Sequence, residues 1–87
     1  MPNDWKSKYD YIEPFHEGLA AVQRNDQWGF VDTTGKEVVP PKYDNVEFFH
    51  EGLALVKLKK KFGFIDQQGH EYWDMTEDEA RWQMGNR

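Results

Sequence analysis

Phe15-His16-Glu17-Gly18-Leu19-Ala20-Ala21-Val22, followed by Trp28-Gly29-Phe30-Val31-Asp32 and Gly35, returns as Phe49-His50-Glu51-Gly52-Leu53-Ala54-Leu55-Val56, Phe62-Gly63-Phe64-Ile65-Asp66 and Gly69, each matched position shifted by 34 residues. Lys8-Tyr9-Asp10 likewise returns as Lys42-Tyr43-Asp44. Such a period marks a duplicated supersecondary unit that buries its apolar faces against its neighbour. The units are short apolar runs separated by polar and glycine-rich breaks, which reads as strands and turns rather than helices.

Within the first unit, Tyr9 to Pro14 reads as a short strand with proline at its end, where the missing N–H is tolerated. Glu17-Gly18 breaks it, and Leu19 to Val22 starts the next strand. The polar connection Gln23-Arg24-Asn25-Asp26-Gln27 predicts a hairpin of open turn type, returning through Trp28 to Asp32. On that return strand Gly29 lies opposite the faces of Trp28 and Phe30, because strand side chains alternate, and an aromatic from the neighbouring unit is expected across it. Asp32-Thr33-Thr34-Gly35 predicts a turn in which the aspartate accepts from backbone N–H groups ahead and the glycine takes a positive φ. Lys36 to Val39 is then a strand expected to end at Pro40-Pro41. The second unit repeats these pieces at Tyr43–Phe48, Leu53–Leu58, Phe62–Asp66 and His70–Trp73.

Both ends depart from the repeat. Residues 1–8 read as a polar arm apart from Trp5. After Trp73, Thr76 and Glu79 have capping-box spacing, Glu77-Asp78-Glu79 suits a helix N-terminus, and Gly85 can stop the helix. A helix of about two turns over this segment needs docking to persist. Either Trp82 or Met84 would supply the docking face, over the open end of the second unit. The expected organisation is therefore an arm over 1–8, units over 9–42 and 43–75, and a capping helix and tail over 76–87, forming one mainly β domain of two antiparallel units with about three strands each.

With 87 residues the core is thin, and the 16% aromatic content, including 4 Trp and 6 Phe, supplies bulky residues to fill it. The chain has no cysteine, hence no disulfide, thiolate metal site or thiol nucleophile. A formal net charge of −5 gives no global attraction for a phosphate backbone. Neither a secretory apolar region nor a membrane span is evident in the sequence, so no membrane contact and a cytoplasmic location are expected.

The order Tyr-Asp, Phe-x-Glu-Gly-Leu-Ala-x-Val, Trp-Gly-Phe-Val-Asp-x-x-Gly-Lys, Pro-Pro-Lys-Tyr-Asp resembles the WG-repeat family of bacterial β-repeat proteins, over residues 8–76. The resemblance implies antiparallel units in series and interaction modules without a shared catalytic residue. Phe62 stands where the second signature Trp would be, which keeps the ring and loses the indole donor, so that donor is expected to matter in one unit only. With two units, the terminal faces need a cap or a dimer through an edge strand.

His16-Glu17 and His50-Glu51 lack the spacing of a zinc-peptidase motif, and Glu17 and Glu51 are better explained as acceptors for backbone N–H groups beside Gly18 and Gly52. Asp32 and Asp66 fit turns a full unit apart better than a catalytic carboxylate pair. Ser7 lies in the arm, and no nucleophile stands out. No enzyme activity, cofactor or metal is expected. Lys57, Lys59, Lys60 and Lys61 form the basic cluster, suited to contact with an acidic protein surface or a phosphate. With Trp73 and Trp82 they are the expected partner-binding residues. The reading is a non-enzymatic protein-binding module, a small bacterial or phage inhibitor, immunity-type protein or adaptor. The alternatives are an acidic inhibitor occupying the nucleic-acid groove of a nuclease or similar enzyme, without binding nucleic acid itself, and a structural homo-oligomer subunit.

Overall fold

The duplicated apolar runs pair locally, each with the next along the chain. The computed structural model describes residues 5–75, which form two four-stranded antiparallel sheets. In the first, β1 (Tyr11–Ile12), β2 (Leu19–Arg24), β3 (Gln27–Asp32) and β4 (Glu37–Tyr43) lie side by side in chain order. In the second, β5 (Asn45–Val46), β6 (Leu53–Leu58), β7 (Lys61–Asp66) and β8 (Glu71–Met75) repeat the arrangement. The mainly β expectation holds, with four strands per sheet instead of about three. The strands read over Tyr9–Pro14 and Tyr43–Phe48 are two-residue edge strands, paired over only part of that length. The expected helix over 76–87 lies outside the described residues, where the helical element is a short 3-10 turn at Trp5–Lys8.

Two local expectations need correction. The hairpin between β2 and β3 has a two-residue tip, not a five-residue connection, because Gln23↔Trp28 and Arg24↔Gln27 still pair. Asn25 and Asp26 both hold positive φ, 56° and 65°, the geometry that matches a tight turn to strand twist. Secondly, β4 continues through Pro40-Pro41 to Tyr43. The register with β3 jumps from Phe30↔Val39 to Trp28↔Tyr43, so the prolines sit in an irregular bulge where no ladder N–H is required of them.

That bulge also explains Gly29. A Cβ there would lie 2.3 Å from the Val39 carbonyl oxygen and 2.7 Å from backbone atoms of Pro40 and Pro41. The close approach is real, but its source is the adjacent strand's backbone rather than a ring from the other unit. At Gly63 an aromatic does lie across the gap: Trp73 of the same sheet, 2.6 Å from the Cβ position.

The main core lies between the sheets. Leu19, Ala21 and Phe30 from one face of the first sheet, with Val39 and Tyr43, pack against Phe49, Ala54, Val56 and Ile65 of the second. Phe30 and Phe49 meet edge to face, centroids 4.8 Å apart, a favoured aromatic geometry. Ala20, Val22 and Val31 point the other way and are covered by Tyr9 and Trp5. Trp5 thus covers the face of the first unit that corresponds to the one the second unit turns toward the first. Its ring closes over Gly35, 2.3 Å from the Cβ position, as Val39 approaches the equivalent site of Gly69 at 3.4 Å. The residues expected as an arm are folded from Trp5 onward.

Candidate binding site

The repeated polar residues are engaged in building turns and junctions. Asp32 accepts from Thr34 N–H at 2.9 Å and Lys36 N–H at 3.1 Å, and Asp66 accepts from Gln68 and His70 N–H at 3.0 and 2.9 Å. Gly35 and Gly69 both take φ of 89°, as those turns require. Desolvation pushes the Asp66 carboxyl up, but bonds from His70 N–H, the Tyr72 hydroxyl, Gln68 N–H and the His70 ring outweigh it and hold the group down at about 2. Asp10 and Asp44 accept from the hairpin-tip amides of Asn25 and Lys59, at 3.2 and 2.6 Å. Glu17 does accept backbone N–H bonds, yet not beside its own Gly18: its partners are Glu51 and Gly52 of the second unit. His16 stacks on Phe48, centroids 4.4 Å apart, and His50 lies 4.0 Å from Glu51. Among the described residues, no three His, Asp or Glu side chains gather into a metal-binding group.

Where the two units differ, the surface opens. A groove of about 730 Å³ lies at the tip of the β6–β7 hairpin, walled by Lys59, Lys60 and Lys61. Leu58 and Trp73 provide its apolar surface, with Lys42 and Glu71 opposite the tip. Alternation along β6 places Leu58 on the face turned toward the first sheet, with Ala54 and Val56. Gly63 has no side chain, which leaves room for the Trp73 ring, 2.6 Å from the Cβ position, beside β7.

Glu71 anchors this end. It pairs with the Lys42 ammonium at 2.9 Å and accepts from the Trp73 indole N–H at 3.2 Å and from the Tyr43 hydroxyl. The Tyr43 bond, then Lys42, hold its carboxyl well below the ordinary range, at about 2, against the opposing effect of desolvation. Tyr9 and Glu37 form the same tyrosine–carboxylate bond in the first unit, at 2.5 Å, and there Arg24 supplies the cation at 3.3 Å. Burial first, and then the Glu37 contact, push the Tyr9 hydroxyl up to about 12.

Of the residues expected to contact a partner, Lys59, Lys60, Lys61 and Trp73 converge on this groove. Lys57 does not: it lies on the opposite face of β6, its ammonium 5.7 Å from the Phe62 ring centroid. Trp82 lies outside the described residues. The Trp28 indole nitrogen makes no hydrogen bond to a described residue, so the special donor expected in the first unit is not seen; the ring packs against the inter-sheet core instead. Lys42, Leu58 and Glu71 escaped the sequence reading. The signal that could have found Glu71 is the Tyr-to-Glu interval of 28 residues, kept from Tyr9/Glu37 to Tyr43/Glu71.

Among the described residues, no helix is long and apolar enough to cross a membrane. A family model described as WG containing repeat matches residues 6–28 and 28–62, together more than half of the chain. Neither the curated proteins nor the solved structures contain a match.

Proposed function

Because the chain belongs to the WG-containing repeat family, we propose that it is a non-enzymatic protein-binding module whose contact surface is the lysine hairpin and the groove beside it. The observation that carries this reading is how the duplicated residues divide. The shared aspartates and glycines are occupied in turns, and Glu17 in joining the units, whereas Lys59, Lys60, Lys61 and Trp73, which distinguish the second unit, border one open groove. Exposed loops on a rigid scaffold are where recognition is commonly placed.

The test uses the full chain as immobilised bait beside a bait carrying Lys59→Ser, Lys60→Ser and Lys61→Ser, with retained proteins quantified by mass spectrometry. A protein held by the first and lost from the second is the expected result. Equal retention by both baits would remove the groove as the contact surface, and retention of nothing above background would remove the protein-binding role.

A further inference from the structure

We propose that the groove takes an acidic protein segment carrying one apolar anchor side chain, the anchor seated on Leu58 and Trp73 and the flanking carboxylates on Lys59, Lys60 and Lys61. This rests on the protein-binding reading above and adds the chemical class of the ligand.

The charge of the groove is the first support. Among the described residues, four ammonium groups border it against one carboxylate, and that carboxylate, Glu71, is already committed to Lys42, Tyr43 and Trp73. Among the described residues, no acidic side chain comes within 4.0 Å of the ammonium groups of Lys59, Lys60 or Lys61. Their charge is left without a counter-ion among the described residues, which suits an external anion, although the chain as a whole carries −5.

The backbone gives the second. Lys59 holds φ of 59° at the position where the first unit has Asn25 at 56°. Asparagine tolerates the left-handed region and lysine does so at a cost in strain. Here the turn carries the less suitable residue and gains no ion pair with a described residue from it. Strain of this kind persists where a side chain serves another purpose.

Preorganisation of the apolar surface gives the third. The Trp73 ring is fixed by its N–H bond to Glu71 at 3.2 Å and by its seat over Gly63, so an incoming side chain meets a wall already in position. The first unit supplies an internal control. Its equivalent hairpin is Asn25-Asp26-Gln27, and Val39, which replaces Trp73, is 3% exposed and buried between the sheets. An oligophosphate would be drawn by the same lysines, but the Leu58–Trp73 surface gives it nothing to bury, and Glu71 repels charge carried further into the groove.

The probe is a short synthetic peptide of Asp and Glu around a single Phe, titrated into the full chain and followed through the Trp73 indole N–H and Leu58 methyl NMR signals. Saturable shifts at both sites are expected. Replacing the peptide's Phe by Ala should weaken binding roughly tenfold, as for a central anchor. Lys59→Ser with Lys60→Ser and Lys61→Ser should weaken it about tenfold or more and flatten its salt dependence. Asn25→Ser with Asp26→Ser and Gln27→Ser should leave it unchanged. Unchanged circular dichroism and thermal midpoint keep the lysine variant interpretable, and loss of one Lys at a time, read by the same shifts, provides a milder series. The proposal is overturned if the Ala peptide binds as tightly as the Phe peptide, if the shifts centre on Asn25–Gln27, or if an RNA oligonucleotide or inorganic polyphosphate binds more tightly than the peptide. Should the peptide fail while the lysine bait still loses a retained protein, the ligand class is wrong and the protein-binding role stands.

Discussion

The Glu17 carboxylate of the first unit accepts hydrogen bonds from the Glu51 and Gly52 amides of the second, at 2.6 and 2.9 Å, and from the Gln67 side-chain amide at 2.9 Å. Glu51 and Gly52 hold φ of 53° and 85°, so this turn presents two successive N–H groups to one carboxylate. The contact ties the repeat to its successor. Glu17→Ala should lower the urea midpoint of unfolding. Its more diagnostic effect is faster amide exchange at Glu51 and Gly52, with that at Gly35, within the first sheet, unchanged; equal exchange in both proteins at the former pair would remove the junction role.

Acid should weaken the other end of the junction. The Tyr43 hydroxyl and Lys42 hold Glu71 at about 2 in the folded chain, against an ordinary value of 4.5. A carboxylate with a depressed folded value adds stability above its unfolded value and loses it as pH falls through the folded one. The stability from Glu71 should therefore be complete above pH 4.5 and decay toward pH 2. Glu71→Gln should make the urea midpoint less dependent on pH across that window. Parallel pH profiles for the two proteins would contradict this.

Backbone proximity makes Gly29 the position least able to accept a side chain. The atoms a Cβ would strike belong to the main chain around Val39–Pro41, which cannot rotate away. Gly29→Ala should cost about 2–4 kcal/mol, measured by chemical unfolding. Gly18, with nothing within 4 Å of its Cβ position, would meet strain only through its φ of 78°, and Gly18→Ala should cost about 1–2 kcal/mol.

Trp5 closes the outer face of the first sheet over Ala20, Val22 and Val31. Trp5→Ala should destabilise by about 2 kcal/mol, below the cost for a fully buried ring because part of its surface is exposed. A change under a few tenths would show that Tyr9 covers this face alone.

Stability and binding should move in opposite directions at the hairpin tip. Lys59→Asn places a residue suited to φ of 59° there and should add about 0.5–1 kcal/mol. The same change should weaken the acidic peptide. Thermal unfolding and the peptide titration on one preparation test both halves.

What the sequence disclosed follows from the range of each interaction. Asp32-Thr33-Thr34-Gly35 and its copy were legible because a turn is specified within four residues. The reach of Glu17 to a turn 34 residues away was not, since local chemistry suggests its own Gly18 as the partner. Pro40-Pro41 misled in a different way: the rule against proline presumes a regular ladder, and β4 bulges there. At the candidate site, Lys59, Lys60 and Lys61 stood out as the difference between two copies, but Leu58 and Glu71 join them only once β8 pairs with β7 and the hairpin end closes. Lys57, adjacent in sequence, was separated by strand alternation.

Because Trp5 meets Gly35 where Val39 meets Gly69, the equivalent fronts of the two units receive different coverings. If the junction is a reusable joint, array length should be variable without change to the fold of each unit. A copy of residues 9–42 spliced in directly after Lys42 would find Val39 ahead of it and Tyr43 behind it, in the sequence order each already has. Such a lengthened chain should unfold in urea with a steeper slope, in proportion to the added buried surface, if the joint is equivalent wherever it occurs; an unchanged slope would show that the inserted copy does not dock.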